Sequence, residues 1–122
     1  MLSVNRVILV GNAGNDAKLG KAGESDVANF SLATHYRYKK GEEWTTRTTW
    51  HQVAVFGARA KAAAKHIKKG KLVAIEGRND NQEISGANDQ KYRTTRVVAD
   101  DFDVDPERNA EAADAGPGLE PG

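Results

Sequence analysis

The sequence predicts an all-β protein: a five-stranded, partly open barrel with one helix between strands 3 and 4, followed by a disordered C-terminal tail. Three observations support this prediction. Short runs rich in β-branched residues alternate with glycine and asparagine turn signals through residues 1–102. One stretch rich in alanine and lysine interrupts them with helical spacing of its apolar positions. The last twenty residues contain all three prolines and little apolar mass, so they cannot offset their ordering entropy.

Three predicted strands precede the helix. The string RVILVGN at 6–12 is a β-branched run that ends in Gly-Asn, which indicates a buried strand and then a turn. Residues 12–25 are rich in glycine and asparagine and are predicted to form a loop. The apolar positions of 27–38 alternate, which predicts a long strand. A charged loop at 39–44 then leads to the third strand at 45–57, whose threonines and valines are typical of strands.

The periodicity changes in the second half of the chain. Residues 58–70, ARAKAAAKHIKKG, are rich in alanine and lysine and end in glycine, which predicts a helix. A strand at 71–77, a polar hairpin loop at 78–90 and a last strand at 91–102 follow. This order of strands around a single helix predicts an OB-fold, a barrel type that binds oligonucleotides or oligosaccharides.

Charge is divided unevenly between the body of the chain and its end. Residues 1–102, the predicted OB domain, hold 17 basic and 11 acidic side chains. Residues 103–122, the predicted acidic tail, hold one arginine and six acidic side chains. A basic body with an acidic tail is typical of a polyanion-binding domain with an interaction tail, although a solvated surface with a polar terminus fits the charge alone equally well.

Composition also bears on the compartment. The absence of cysteine excludes disulfides and thiolate metal sites, and it fits a reducing compartment. The longest apolar run near the start is VILV, which is too short for a signal-peptide core or a membrane span. We therefore expect a cytoplasmic protein with no membrane partner.

The third strand raises the functional question. Val53 and Val55 fall on one face, as core residues do, whereas Trp50 and Phe56 fall on the other face and Trp44 continues it. Exposed aromatics beside basic residues suit a single-stranded nucleic acid, because every base can stack on them. Interleaved threonine and glutamine favour a solvated aromatic face. Burial of that face under the helix or another subunit is the alternative.

Six short strings, in order and with similar spacing, resemble bacterial single-stranded DNA-binding proteins of the replication and repair type: VNRVILVGN at 4–12, ANFSLAT at 28–34, WHQVAVFG at 50–57, KKG at 68–70, VAIEG at 73–77 and YRTTRVVAD at 92–100. The resemblance covers most of residues 4–100. It implies an OB-fold that binds single-stranded DNA without sequence readout in replication, recombination or repair. It also implies a nucleoid-associated homo-oligomer, usually a homotetramer, with a dimer left open.

The resemblance also implies site residues. Trp50 and Phe56 match two base-stacking aromatics of the family, and Tyr38 falls where the family often has a stacking tryptophan. The basic residues assigned to the phosphate backbone are Arg6, Lys39, Lys69 and Arg78.

His51 follows Trp50 as it does in the family, where that histidine lies at a subunit interface. As a metal ligand it lacks local partners, since His35 and His66 are 16 and 15 residues away. No nucleophile-elbow, P-loop or His-Glu-x-x-His string occurs in the sequence. We therefore expect no catalytic residues, no metal and no cofactor.

Two departures from the family pattern matter. The hairpin after IEG is usually basic and carries a stacking tryptophan, whereas here it reads RNDNQEIS, with Asp80, Glu83 and Ile84. This predicts weaker binding or a shorter footprint. The tail is acidic but ends in GLEPG without an aromatic, so recruitment of replication and repair proteins through the usual hydrophobic tip is not expected. A phage, plasmid or other divergent paralogue fits both departures.

Three other functions stay open at this stage. A primosome-type accessory protein would also be an OB-fold, typically dimeric, with weaker single-strand binding and mainly protein contacts. A metal-dependent enzyme could use the carboxylates of DDFDVD at 100–105, although a solvated charge run fits better. An OB domain used purely for protein contacts would bury Trp50 and Phe56 at an interface.

Overall fold

The computed structural model describes residues 1–105. Gly57–Arg59 and Ala87–Asp89 form short 3-10 turns. The regular elements in chain order are β1 (Val7–Ala13), β2 (Lys18–Ala22), β3 (Ser25–Lys40), β4 (Glu43–Phe56), α1 (Ala60–His66), β5 (Leu72–Ser85) and β6 (Lys91–Val104).

The strands form one sheet that closes on itself. Its order is β1-β5-β6-β4-β3-β2, and a further antiparallel pairing of β1 with β3 closes a ring of five strands. β2 lies outside the ring as a hairpin partner of β3. All pairings are antiparallel except that of β4 with β6. The predicted OB-type barrel, with its helix between the third and fourth predicted strands, is confirmed.

The core lies inside the ring and under the helix. Leu32, Val53 and Ile75 from three different strands are almost fully buried. α1 packs Ala63 into the same cluster, and Ile67, directly after the helix, is completely buried. Apolar burial of this kind is the main favourable term for a small domain.

The helix is shorter than the 58–70 predicted from the alanine-rich sequence. It ends at His66 because Ile67 turns to an extended conformation and enters the core. Residues 67–70 form hydrogen bonds with the end of β1 and the loop after it instead of continuing the helix. The Ile67 carbonyl accepts from Ala17 N at 2.9 Å, and Gly70 N donates to the Ala13 carbonyl at 2.8 Å.

Both long hairpins extend further than the sequence indicated. The charged loop predicted at 39–44 is instead a two-residue turn in which Gly41 has φ +66, a value that suits glycine. The loop predicted at 78–90 is mostly strand, since the β5–β6 ladder continues to Ser85 and Lys91. The tips of these arms lie beyond the core, so neither of their faces is buried and the alternation of apolar and polar residues that indicates a strand is lost there.

The structure also contains a strand in the region predicted as a loop at 12–25. β2 has the sequence KLGKA, is exposed at every position, and pairs with β3 through a tight turn at Gly23. A fully exposed strand carries no buried face to mark it, which is why the sequence pattern does not reveal it.

Candidate nucleic-acid interface

The register of β3 and β4 fixes which side chains share a face. Phe30 pairs with Val53, and both are buried in the core. Directly paired residues point to the same side of a sheet, and side chains alternate along each strand. The pair Ala33 and Trp50 therefore lies on the opposite side. We call this side, which carries the even-numbered residues of β4 from Trp44 to Phe56, the outer face.

Trp50 lies on the outer face with 58% of its surface exposed. Its ring rests on the loop after β1: a Cβ atom built on Gly14 would come within 2.5 Å of Trp50 Cζ3. Asn15 holds that loop in place, because its Oδ1 accepts hydrogen bonds from Ser31 N at 2.9 Å and Ser31 Oγ at 2.7 Å. The ring is thus supported from below while more than half of the residue stays accessible.

Phe56 lies further along the same face and is half-buried. The guanidinium of Arg96 stands 5.1 Å from the centroid of its ring, a distance suited to a cation–π interaction. The two residues border a groove of about 460 Å³ between β2 and the β5–β6 hairpin, which is also lined by Lys21, Gln52 and Ile84. An aromatic ring and a cation thus meet beside an open groove.

Tyr38 lies on the other side of the β3–β4 hairpin. Its register partner is Thr45, an odd-numbered residue of β4, so its side chain does not share the outer face with Trp50. Its ring stacks on Tyr36, with centroids 6.1 Å apart and an interplanar angle of 17°. The Arg47 guanidinium stands 5.9 Å from the ring centroid of Tyr38. The three predicted stacking residues therefore do not form one surface.

The predicted phosphate-binding residues are dispersed, and two of them hold carboxylates. Arg6 forms an ion pair with Glu76, and Arg78 forms one with Asp100 at 3.2 Å. Lys69 is exposed beside the helix, and its backbone N–H donates to a carboxylate oxygen of the loop after β1 at 2.9 Å. Lys39 is exposed near the tip of the β3–β4 hairpin.

The outer half of the β5–β6 hairpin pairs its own charges. Arg96 Nε lies 3.3 Å from Asp80 Oδ2, and Lys91 Nζ lies 3.6 Å from Glu83 Oε1. Exposed pairs of this kind contribute about 0–1 kcal/mol to stability. Their larger consequence is local: each carboxylate neutralises a cation that would otherwise be available to a phosphate. Ile84, near the position of the tryptophan that the family resemblance implies, is 44% exposed and borders the groove at Phe56.

His51 is half-buried on the core side of β4. Its Nε2 lies 2.9 Å from Thr34 Oγ1, so it has a hydrogen-bond partner within its own chain. Burial lowers the pKa of His51 below its ordinary value of 6.5, because the charged imidazolium loses solvation. The ring is therefore neutral at neutral pH.

Two of the four carboxylates of DDFDVD at 100–105 form ion pairs with arginines. Asp100 pairs with Arg78, and Asp101 pairs with Arg59. The hydrogen bond from Arg59 is the main reason that the pKa of Asp101 lies below its usual range. Within residues 1–105, no group of three or more histidine or acidic side chains is arranged to hold a metal ion.

The sequence does not show which arginines lie over the aromatic rings. Arg37, Arg47 and Arg96 each contact an aromatic ring of the β3–β4 hairpin or of its base. The outward orientation of Arg96 follows from the alternation of side chains along a strand, because its neighbour Val97 points into the core. Arg37 and Arg47 could not be found in this way, since their partners depend on the hairpin register.

Residues 4–105 match the model of the single-strand binding protein family. The chain belongs to this family. Membership places it among binding proteins and not among enzymes, and it confirms the resemblance seen in the sequence. Among residues 1–105, no helix is both long and apolar enough to cross a membrane.

Family relatives include two mitochondrial single-stranded DNA-binding proteins. The one from Drosophila melanogaster is 34% identical over 102 residues, which cover 81% of this chain and 69% of the relative. Protein 1-A from Xenopus laevis is 34% identical over 110 residues, which cover 82% of this chain and 75% of the relative. The structure of a Plasmodium falciparum SSB complex with ssDNA is similar in fold, with a TM-score of 0.74, 24% identity, and coverage of 85% of this chain and 95% of that one.

Proposed function

We propose that this protein binds single-stranded DNA without reading its sequence and protects it during replication, recombination or repair. The observation that carries the proposal is the outer face, where a Trp50 ring more than half exposed and a half-buried Phe56 lie on one side of the barrel, with Arg96 over the latter. Stacking on such rings tolerates any base, because every base has a π-face.

The mechanism combines stacking with phosphate neutralisation. Bases stack on Trp50 and Phe56, while Lys39 and Lys69 contact the backbone. Arg6 and Arg78 also face solvent, but each must release a carboxylate before it can bind a phosphate. Duplex DNA is excluded because paired bases cannot reach the rings.

Tyr38 takes part only if the strand crosses the edge of the β3–β4 hairpin. Its ring faces the side opposite Trp50 and carries its own arginine, Arg47. We propose that the DNA passes from the outer face around this hairpin to the stacked Tyr36–Tyr38 pair.

We propose that the active form is a homo-oligomer, a tetramer or a dimer, formed by the OB domain, which ends with β6 at Val104. Ile8 and Val10 support this, since both are large apolar side chains exposed on β1 at 66% and 58%. We place His51 at a subunit interface. The acidic tail expected at 103–122 starts later, because β6 continues to Val104 and Asp105 N donates to the Leu72 carbonyl at 2.9 Å. We assign the tail to the residues from 106 onward, which lie outside the described residues. Single-stranded DNA is the proposed partner, and the cytoplasmic nucleoid is the proposed location.

A primosome-type accessory role is the second candidate function. The observation that favours it is the self-paired charge of the β5–β6 hairpin, which weakens its use for phosphate. Mass measurement in solution tests the distinction, since a dimer favours the accessory role and a tetramer favours a general single-strand binder.

The test of the main proposal is a titration of labelled oligo-dT, at low and high salt, beside a duplex of equal length. We expect tight binding of the single strand only, with log affinity falling against log salt by about 0.7 per phosphate neutralised. Equal binding of duplex and single strand, or no binding by the folded protein, would contradict the proposal.

A further inference from the structure

We propose that Trp44, together with Arg37 and Lys39, forms a second base-stacking site for the single strand, at the tip of the β3–β4 hairpin. The inference rests on the proposed function and extends the binding surface to Trp44, a residue to which the family resemblance assigns no role.

The geometry of the hairpin places Trp44 on the outer face. Its register partner is Lys39, and Arg37 pairs with Thr46 on the same side. The Arg37 guanidinium stands 5.5 Å from the centroid of the indole ring. The residue nevertheless remains 53% exposed, close to the value for Trp50. Trp44 thus repeats the arrangement at Phe56, an aromatic ring with an arginine over it.

The charges around Trp44 suit a phosphate backbone. Arg37 and Lys39 are on its own face, and both belong to β3. The nearest acidic residues do not cover this face: Glu43 pairs with Lys40 on the other side, and Glu42 lies in the turn. A ring flanked by two cations on one face is the combination that single-strand binders use, whereas an aromatic that only stabilises a hairpin needs no cations.

The surface between the two tryptophans is open enough for a strand to follow. Trp44 and Trp50 are six residues apart on one strand, or about 20 Å at the rise of a β-strand. Thr46 and Thr48 are the residues of β4 between them on the outer face, and His35 hydrogen-bonds to Thr48 Oγ1 at 3.0 Å. Hydroxyl and imidazole groups on this stretch are therefore available as hydrogen-bond partners for a nucleic-acid backbone.

Single-tryptophan variants separate the two sites, because Trp44 and Trp50 are the chain's two tryptophans. Trp50→Phe keeps a stacking ring and leaves Trp44 as the fluorophore, and Trp44→Phe does the converse. Each variant is titrated with oligo-dT and with an abasic oligomer of the same phosphate number, while anisotropy of a labelled strand reports binding. We expect oligo-dT to quench both tryptophans in parallel with binding, and the abasic oligomer to bind without quenching either.

A third variant, Trp44→Ala, measures the contribution of the site to affinity. Loss of one stacked base predicts about tenfold weaker binding of a strand long enough to span both tryptophans, and unchanged binding of a short strand held at Trp50. Circular dichroism melting verifies that the variant folds. The Trp44→Phe variant serves as its matched control, since it retains a ring and should retain most of the affinity.

Each other outcome overturns the inference in a recognisable way. Quenching of Trp50 alone rejects the Trp44 site but leaves single-strand binding intact. Quenching of Trp44 by the abasic oligomer, which has no bases, would show that a phosphate approaches the ring and that no base stacks on it. A change in Trp44 emission with protein concentration, in the absence of DNA, shows that a second copy of the chain covers it. Absence of binding and of quenching rejects both this site and the proposed function.

Discussion

The β3–β4 and β5–β6 hairpins use their arginines in different ways. In the β3–β4 hairpin, Arg37 and Arg47 stand over aromatic rings. In the β5–β6 hairpin, Arg96 and Arg78 hold carboxylates of neighbouring strand positions. Both hairpins are long and exposed at their tips, so the difference lies in how their side chains pair and not in the backbone.

This difference has a consequence for binding. A guanidinium over a ring keeps its charge and its hydrogen-bond donors free for a phosphate. A guanidinium paired with a carboxylate must break that contact first. Arg96 combines both situations, since it lies over Phe56 and also contacts Asp80. The arginines of the β3–β4 hairpin are thus available to bind phosphates, whereas the positive charge of the β5–β6 hairpin is partly neutralised by its own carboxylates.

The largest effect is expected from Trp50→Ala. Loss of a stacked base should weaken oligo-dT binding by about 1–3 kcal/mol, or about fivefold to 150-fold, and equally for other homopolymers. The matched control is Tyr92→Ala, which removes an aromatic of similar exposure, 52%, from the β5–β6 hairpin. Binding isotherms measure both. Equal losses of DNA affinity in the two variants would show that the β5–β6 hairpin contributes as much to binding as the β3–β4 hairpin.

Gly14→Ala tests the support beneath Trp50. The added methyl would lie 2.5 Å from the indole ring and 2.7 Å from Ser31 Oγ, so one of these groups must move. Overpacking of this kind costs about 1–3 kcal/mol of stability, and displacement of the ring should weaken DNA binding as well. Gly20→Ala is the control, since a Cβ there meets nothing within 4 Å. If Gly14→Ala leaves both melting and affinity unchanged, Trp50 is not positioned by this loop.

The sequence predicted the barrel because its core strands follow simple rules. Val53 and Val55 point into the core on one parity of β4, although Ala54 between them is also buried, and Ala60 and Ala63 of the helix point inwards. The alternation disappears where the hairpins extend beyond the core. For this reason the sequence predicts loops at 39–44 and 78–90, although most of these residues are in strands. A strand with one buried face shows alternating apolar residues in its sequence, whereas a strand exposed on both faces does not.

The site was less predictable than the fold for a related reason. Parity alone identified Trp50 and Phe56 as outward-facing residues. The side chains that contact those aromatics depend on how strands distant in sequence pair with one another. Arg96, which lies over Phe56, is an example. Tyr38 shows that a match to a family position does not fix the face on which a side chain lies. It matches a stacking position of the family, but the register puts it on the opposite face from Trp50.

Asp80→Asn should convert part of the β5–β6 hairpin into a phosphate-binding surface. Releasing Arg96 predicts about twofold to fivefold tighter binding of oligo-dT, given the modest worth of a partly exposed pair. The salt dependence should steepen by about 0.7 as one more phosphate is neutralised.

Asp89→Asn at the tip of the same hairpin is the matched control for net charge. It removes one negative charge, and asparagine tolerates the positive φ of 60 found there. An equal gain in both variants would mean that general repulsion, and not the Arg96–Asp80 pair, limits binding. Combining Asp80→Asn with Arg96→Ala should abolish the gain.

The smallest effect is expected where the β3–β4 hairpin meets the barrel, at His51. Its folded pKa is lowered by burial, so the unfolded chain binds the proton more readily. Stability therefore rises as pH increases toward and through 6.5, is fully present above it, and is lost as pH falls toward the lowered folded pKa. His51→Gln should flatten this part of the melting-temperature profile, as measured by thermal melts between pH 5 and about 8.

A profile that keeps its slope in His51→Gln would assign the pH dependence to other groups. A slope that changes with protein concentration would instead indicate that His51 is buried further by a second subunit. Where His51→Gln keeps the mass in solution of the unsubstituted protein, its DNA affinity at pH about 8 should stay unchanged, because His51 is then neutral and faces the core side, away from Trp50 and the outer face. A loss of affinity at that pH would mean that the base of the β3–β4 hairpin, and not only its exposed half, takes part in binding.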